Sequence, residues 1–585
     1  MAIIPARFRT RGRSGRLSWK QALKCVRSKN AKGSATSVTS PRILNAGESA
    51  VAVEFGDRID LELNARVQAL DQGLLSQPFP GFVEAVPTYR SLLVHFDPLR
   101  TDSAEVADHL RELAAQTAGS LPAPGALKEV ATVYDGEDLD AVARSTGLSR
   151  TEVVALHSGT EYRVYMLGFS PGFAYMGVLP EAIATRRLAT PRTRVPAGAV
   201  AIAGRQTSVY PSPTPGGWNL IGRSSLRLFD PRENPPTFFL PGDRVRFVPV
   251  PDMEEMIASP AASEPPGGDP VFEVLDGGLL TTVQDLGRPG YQRYGVPVSG
   301  AADAGALRAA NFLVGNRPQA AGLECTVIGP SVRLLRTIVL SLCGADLGAV
   351  LDRGDLGPWS VPPYSSFLAR SGNILSFSGP QAGCRAYLAV AGGIGVPEVL
   401  GSRSTYVACG LGGHLGRALM KGDVLTALVP ERPVEPGRRW SGARFPESSG
   451  MTVRIVFGLQ EDGFSKKTKT LLTSSEYVVS SSSDRMGCRL EGPRLRHRGS
   501  SEIVTDGMVL GAVQVPPDGQ PIVMLADRAT TGGYPKIGTV IGADIPRLAQ
   551  RVPGDRLRFQ EVDVEEARNA LRTLRREEEK LRRFL

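Results

Sequence analysis

The stretch YMLGFSPGFAYMG, Tyr165 to Gly177, decides the fold. It contains G-F-S-P-G, a literal match to G-x-S-x-G. A serine nucleophile at Ser170 would need a sharp strand-to-helix turn. It would also need the N–H of the next residue for its oxyanion hole, and an acid and a histidine downstream. Residue 171 is proline and has no N–H. Losing one such donor costs about 10²–10³ in rate. "GFAYMG", with two glycines and two aromatics, is a poor helix. The downstream histidines, His414 and His497, lie beyond a linker at Pro260–Pro270. The stretch therefore predicts a Pro-Gly turn between strands, with Ser170 as a turn residue beside a cleft.

Composition agrees with a strand-rich chain. With 65 glycines and 45 prolines in 585 residues, many turns and short strands are expected rather than long helices. The length calls for about three or four domains. The absence of a run of about 18 apolar residues predicts no membrane span. Six scattered cysteines without C-x-x-C argue against a disulfide scaffold and fit a reducing compartment. Five histidines form no H-x-H or H-E-x-x-H, so no histidine-based metal site is expected. The net charge of +9 is local: Met1 to Ser40 carries ten Lys and Arg, and the first acid is Glu48. The remainder is near neutral, which excludes nucleic-acid binding as the main function. A cytoplasmic protein is expected. Residues 1–40 are read as a basic disordered extension, with organellar targeting and an early-assigned start as alternatives.

Along the chain, "RILNAGESAVAVEFG" reads as a strand pair around Gly47. A helix over "IDLELNARVQALDQGLLSQ", a strand–turn–strand over "FVEAVPTYRSLLVHFDP" and a helix with Ser103 as N-cap follow. This order predicts a small ferredoxin-like α+β domain at 41–122. One helix, "LSRTEVVALHSG", and short strands fill 125–251. A linker at 252–270 precedes two β-rich segments, 271–430 and 451–562, separated by a second linker at 431–450. A charged helix, 563–585, ends the chain, its i, i+4 pairs supporting a solvated face.

Polar residues cluster beside glycine turns. The first cluster holds Arg192, Gln206, Thr207 and Tyr210. The second holds Asp285, Arg288, Ser299 and Asp303, the last as a helix cap and Ser299 as an anion contact at a helix N-terminus. Asp484 and Arg485 form another, and Gln514, Asp527, Thr530, Thr531, Tyr534 and Lys536 the last. No G-x-x-x-x-G-K-[ST] loop occurs, and His414 is read as a hydrogen-bonded loop residue.

At these clusters the sequence resembles a known pair of proteins fused end to end. "GFSPGFAYMG", "TPRTRVPAGAVAIAG", "PGGWNLIGR" and "LPGDRVRF" resemble the 5-oxoprolinase B subunit, the KipI family or allophanate hydrolase subunit 1. "GLLTTVQDLGRPGYQRYGVPVSGAAD", "AVAGGIGVPEVLGSRST", "SDRMG" and "DRATTGGYP" resemble the 5-oxoprolinase C subunit, the KipA family or allophanate hydrolase subunit 2. The resemblance implies an α+β, β-rich chain with cyclophilin-like β-barrel domains. It implies an ATP-dependent 5-oxoprolinase component that activates a lactam or amide, by phosphorylation, with a separate A subunit in an oligomer. Alternatives are a carboxyltransferase fed by biotin on another chain, and a regulator of a histidine kinase. On this reading Arg192, Arg288 and Arg485 hold phosphate or carboxylate. Asp285, Asp303 or Asp527 bind the Mg²⁺ that accompanies ATP. Asp285, Asp527 and Lys536 are the expected catalytic groups, and Gln206, Thr207, Tyr210, Ser299, Asp484 and Gln514 line the site.

Overall fold

Four strands, Arg42–Asn45, Ala50–Glu54, Phe82–Pro87 and Ser91–Phe96, open the fold. A computed structural model describes residues 40–119, 125–252, 267–440 and 450–584. The expected extension before residue 40 and most of both linkers lie outside those residues. The four strands form one antiparallel sheet in the order first–second–fourth–third. Gly47, at φ +80°, turns the first pair. Two helices, Leu61–Ser76 and Ser103–Gln116, cover one face. This is the ferredoxin-like arrangement with its outer strand supplied before the first helix instead of after the second. The second helix is capped by Asp102, not Ser103. Asp102 Oδ1 accepts from the N–H groups of Ala104 and Glu105 at 3.0 and 2.9 Å, which makes Ser103 the first helical residue.

A seven-stranded sheet follows, from Leu127–Thr132 to Arg244–Pro249. Its edge strands are joined by a bridge between Val133 and Arg223, so it nearly closes into a barrel around Val164, Ile202 and Phe247. Two helices pack on it, Leu139–Thr146 and Arg150–Ser158. The sequence reading has only the second, which carries its Ser149–Glu152 capping box in plain view. The first has eight residues, and no side chain caps it.

Residues 269–427 form a six-stranded and a five-stranded sheet over one apolar core, with the helix Ala304–Leu313. Seven strands from Met451–Phe457 to Arg556–Glu561 form a closed barrel. Ala50, Val86 and Leu93 of the N-terminal sheet pack on this barrel against Met508, Val509 and Met524. The last helix, Val564–Phe584, is charged as expected, but it also docks. Ala567 and Leu581 are buried, and Glu578 takes Arg308 at 2.9 Å. Among the described residues no helix is long and apolar enough to cross a membrane.

Candidate functional site

The G-F-S-P-G stretch is a turn between the strands Glu161–Leu167 and Ala174–Gly177. Phe173 N–H closes it on Ser170 O at 3.0 Å. The turn is held from outside its own barrel. Phe169 N–H donates to Thr531 Oγ1 at 3.2 Å, and Gly172 N–H donates to Tyr294 O at 2.9 Å. Gly168 is required by this approach, since a Cβ there would lie 2.7 Å from Thr531 Cγ2. Ser170 Oγ is buried without a hydrogen-bond partner. Two motifs some 360 residues apart, G-F-S-P-G and D-R-A-T-T-G-G-Y-P, thus meet across one seam.

Gln292 and Arg528 extend the seam to the N-terminal sheet. Gln292 N–H and Nε2 donate to the Glu84 carboxylate at 2.9 and 2.8 Å, and Arg528 donates to Gln292 Oε1 at 2.8 Å. Burial lowers the Arg528 pKa to about 10, although Glu84 and Asp527 oppose the fall. Burial also lowers His95 to about 4.

Lys536 lies nearby on a barrel strand, opposite Gln514 in the register. It is fully buried, and its Nζ has no hydrogen bond; Asp506 Oδ2 is 3.9 Å away. Asp506 is itself held by Ser91 Oγ from the N-terminal sheet, by Gln460 Nε2 at 3.1 Å and by Gly507 N–H at 2.9 Å. Burial lowers the Lys536 pKa, and Asp506 only partly offsets it. Gln514, with Tyr534, Met486 and Met524, lines an open cleft of about 570 Å³ on this barrel.

Arg485 is a different kind of buried cation. Its Nε and Nη2 take Asp527 at 2.8 and 3.0 Å, Nη1 takes Glu324, and Nη2 also takes Gly300 O at 2.7 Å. Glu324 further accepts from Ala302 N–H and Tyr387 OH, at 2.9 and 2.8 Å. Burial disfavours the charge on Arg485, but Asp527 and Glu324 outweigh it and hold the pKa above its ordinary value.

Several expected site residues have partners within the fold. Asp285 accepts from Gly287 N–H, Arg403 N–H and the hydroxyls of Ser402 and Ser404, so it clamps the 402–405 loop. Arg288 is buried and props that loop through Ser404 O. Arg192 is bound by Asp138 and Glu137, at 2.8 and 2.7 Å. Asp303 caps its helix as expected, through Ala306 N–H at 2.9 Å, and takes Gln550 Nε2. Because Asp303 and Glu324 already occupy that helix N-terminus, an anion at Ser299 is not needed there. Ser299 itself is buried at φ +55° with an unpartnered Oγ. Thr207 faces the barrel interior and bonds His157 Nε2 at 2.8 Å. Asp484 closes a turn on Met486 and Gly487 N–H. Gln206 donates to Tyr89 OH, and Tyr210 belongs to an aromatic cluster with Phe173 and Trp218. With Asp285, Asp303 and Asp527 each bound by protein donors, the residues expected to hold Mg²⁺ do not fit that ion. Among the described residues no group of three acids, cysteines or histidines could hold a metal. Glu84, Gln292, Glu324, Asp506 and Arg528 were missed. Gln292 and Arg528 stood inside the quoted motifs, whereas nothing local marks Glu84, Glu324 or Asp506.

Two family models match the chain. One, described as carboxyltransferase domain, subdomain C and D, matches residues 41–239; the other, subdomain A and B, matches 294–561. The 5-oxoprolinase C subunit of Escherichia coli (strain K12) is 38% identical over 308 residues, 51% of this chain and 94% of that protein. The 5-oxoprolinase B subunit of Bacillus subtilis (strain 168) is 41% identical over 224 residues, 35% of this chain and 92% of that protein. Fungal urea carboxylases and amidolyases also match, at 30–34% identity over 17–25% of their length. The crystal structure of TTHA0988 superposes with a TM-score of 0.78 at 37% identity, covering 88% of this chain and 100% of that one.

Proposed function

We propose, for a chain that belongs to the family of 5-oxoprolinase B and C subunits as a fused pair, that it is the B–C component of an ATP-dependent 5-oxoprolinase. The substrate is 5-oxoproline, a small cyclic amide acid, and ring opening yields glutamate. ATP activates the lactam oxygen by phosphorylation, and a separate A-type subunit completes the hydrolysis. Coverage carries this reading: more than nine-tenths of a B-type and of a C-type protein align with this chain.

The chemistry is assigned to the seam, where the 168–173 turn meets Thr531 and the Gln292–Arg528 pair. Arg528 and Lys536 are buried cations behind it. Their field favours negative charge developing on a bound lactam oxygen, and low polarity strengthens that effect. Because Asp285, Asp303 and Asp527 do not fit Mg²⁺, no step is assigned to a metal held by them.

The family models carry the description carboxyltransferase, which supports a second reading. In it, biotin on another chain delivers the carboxyl group.

The deciding experiment mixes the full chain with ATP, Mg²⁺ and 5-oxoproline, with and without an A-type subunit, and measures ADP and glutamate. Substrate-stimulated ADP, with glutamate when the A-type subunit is present, is expected. No stimulation in either mixture overturns the reading, and carboxyl transfer from added biotin would favour the second.

A further inference from the structure

Three motifs that stand apart in the chain converge on the open cleft of the closed barrel. Met486 belongs to SDRMG, Gln514 to GAVQVPPDGQPI and Tyr534 to DRATTGGYP. Strand pairing builds the wall between them. Gln514 is opposite Ile522, and Ile522 is opposite Arg489, so the three form one row across adjacent strands. Residues paired in this way share a face. Their chain neighbours Val513, Val523 and Cys488 fill the barrel core. The row therefore faces outward, and all three of its residues line the cleft.

Gln514 is only 7% exposed. A Cβ on Gly532 would lie 2.6 Å from Gln514 Nε2, so a side chain there would displace the carboxamide. Nε2 has two hydrogens, and among the described residues its one bond is a long one, 3.5 Å to Tyr534 O. No donor among the described residues reaches Oε1, which is open to the cleft. A carboxamide carries its carbonyl and one N–H on a single edge. A ring amide is held cis and carries the complementary N–H and C=O on a single edge, so the two pair through two reciprocal hydrogen bonds. An open-chain secondary amide is trans and turns the two groups to opposite sides. Arg489 stands across Ile522, about 10 Å from Gln514 between Cα atoms. It is exposed, and among the described residues no carboxylate pairs with it. The acids of the cleft lie off this row. Glu491 is two residues further along the strand, opposite Val478, and Asp518 closes its own turn on Gln520 N–H at 3.0 Å.

We propose that Gln514 reads the cis-amide edge of a ring in this cleft, and that the ring is the lactam of a small cyclic amide acid whose carboxylate faces Arg489. This rests on the proposed function. It seats the lactam on the Gln514 side of the turn that joins Thr531 to Tyr534, where Lys536 is the next residue of the ladder. A cyclic urea offers the same edge, so the ureido ring of biotin is the other source of this chemistry.

The full chain is titrated with 5-oxoproline, 2-pyrrolidinone (the same ring without the carboxylate), 2-imidazolidinone (a cyclic urea) and N-methylacetamide (a trans amide). Calorimetry and ligand-observed NMR follow the binding. 5-Oxoproline is expected to bind tightest, and pyrrolidinone more tightly than N-methylacetamide. Gln514→Glu removes the donor and sets a carboxylate against the lactam oxygen. It should weaken 5-oxoproline and pyrrolidinone by about tenfold or more. Gln514→Met keeps the shape and loses the edge, so it should do the same, and it carries the test if Gln514→Glu does not fold. Arg489→Ala should weaken 5-oxoproline about two- to fivefold and leave pyrrolidinone unchanged; an unchanged 5-oxoproline affinity overturns the carboxylate contact. Equal binding of 5-oxoproline by wild type and the folded Gln514 variants overturns the site and leaves the proposed function, judged by ADP and glutamate, standing. Gln514-dependent binding of imidazolidinone, with 5-oxoproline rejected, upholds the cis-amide reader and overturns the proposed substrate. Equal affinity for pyrrolidinone and N-methylacetamide, or no ring amide bound by either measurement, overturns the site.

Discussion

The closed barrel meets its neighbours at two seams, and they are built in opposite ways. Toward the middle sheets it is closed by Arg485, whose guanidinium is shared by Asp527, Glu324 and Gly300 O. Every charge there has a counter-charge, and the groups are buried. Toward the first barrel and the N-terminal sheet it is closed by a glycine turn on Thr531. On that side lies Lys536, a buried ammonium without a hydrogen bond. A saturated ion network fixes a position and has nothing left to offer a ligand. Uncommitted donors and cations cost stability where they stand, and that is the usual signature of a binding site.

The strongest way to break this contrast is Arg485→Ala. It leaves Glu324 and Asp527 buried without their cation, and a loss of about 3–5 kcal/mol is expected. Denaturant unfolding measures it, and a loss under about 1 kcal/mol would mean that the network does not hold the seam. Gly168→Ala drives a methyl group into Thr531 and should cost about 1–3 kcal/mol. Thr531→Ala in the same chain should return most of that, and failure of the rescue would place the strain elsewhere.

Lys536→Met is expected to cost less, about 1–2 kcal/mol at neutral pH, because Asp506 keeps its bonds from Ser91, Gln460 and Gly507. The pH dependence sharpens the point. Burial puts the Lys536 pKa below 10.5 in the folded chain, so between the two values the unfolded chain holds a proton that the folded chain has released. Stability therefore rises with pH across that window. Unfolding midpoints measured up to pH 10.5 should show the rise in wild type and a flatter profile in Lys536→Met. The smallest effect is expected for Arg192→Ala, about 1 kcal/mol or less, with 5-oxoproline affinity unchanged. A tenfold loss of affinity would return Arg192 to the site.

Features set by near neighbours were legible in the sequence. Pro171, with the poor helix after it and the distant histidines, argues against the nucleophile elbow, Gly47 marks the first hairpin, and Asp303 is legible as a cap. Asp102, with Glu105 three residues on, makes a stronger capping box than the neighbouring Ser103. The site was legible as motifs but not as roles. Asp285 and Arg485 stand beside glycine turns, as ligand-binding residues do, yet each is spent on the fold, whereas Arg288 keeps its buried Nη1 without a partner. Glu324, which engages Arg485, is 161 residues away in the chain, and Gln550, which engages Asp303, is 247 away.

The sequence by itself determined the strand-rich architecture and the turns, because those follow from local patterns of glycine, proline and alternating apolar residues; the family was legible only as a resemblance carried by long motifs. Only the tertiary structure decided which polar groups are left over. Whether a carboxylate or an amine is free depends on partners brought from distant segments, as Ser91 is brought to Asp506 across 415 residues. A buried network and an open site use the same residue types, and it is the count of satisfied hydrogen bonds that separates them.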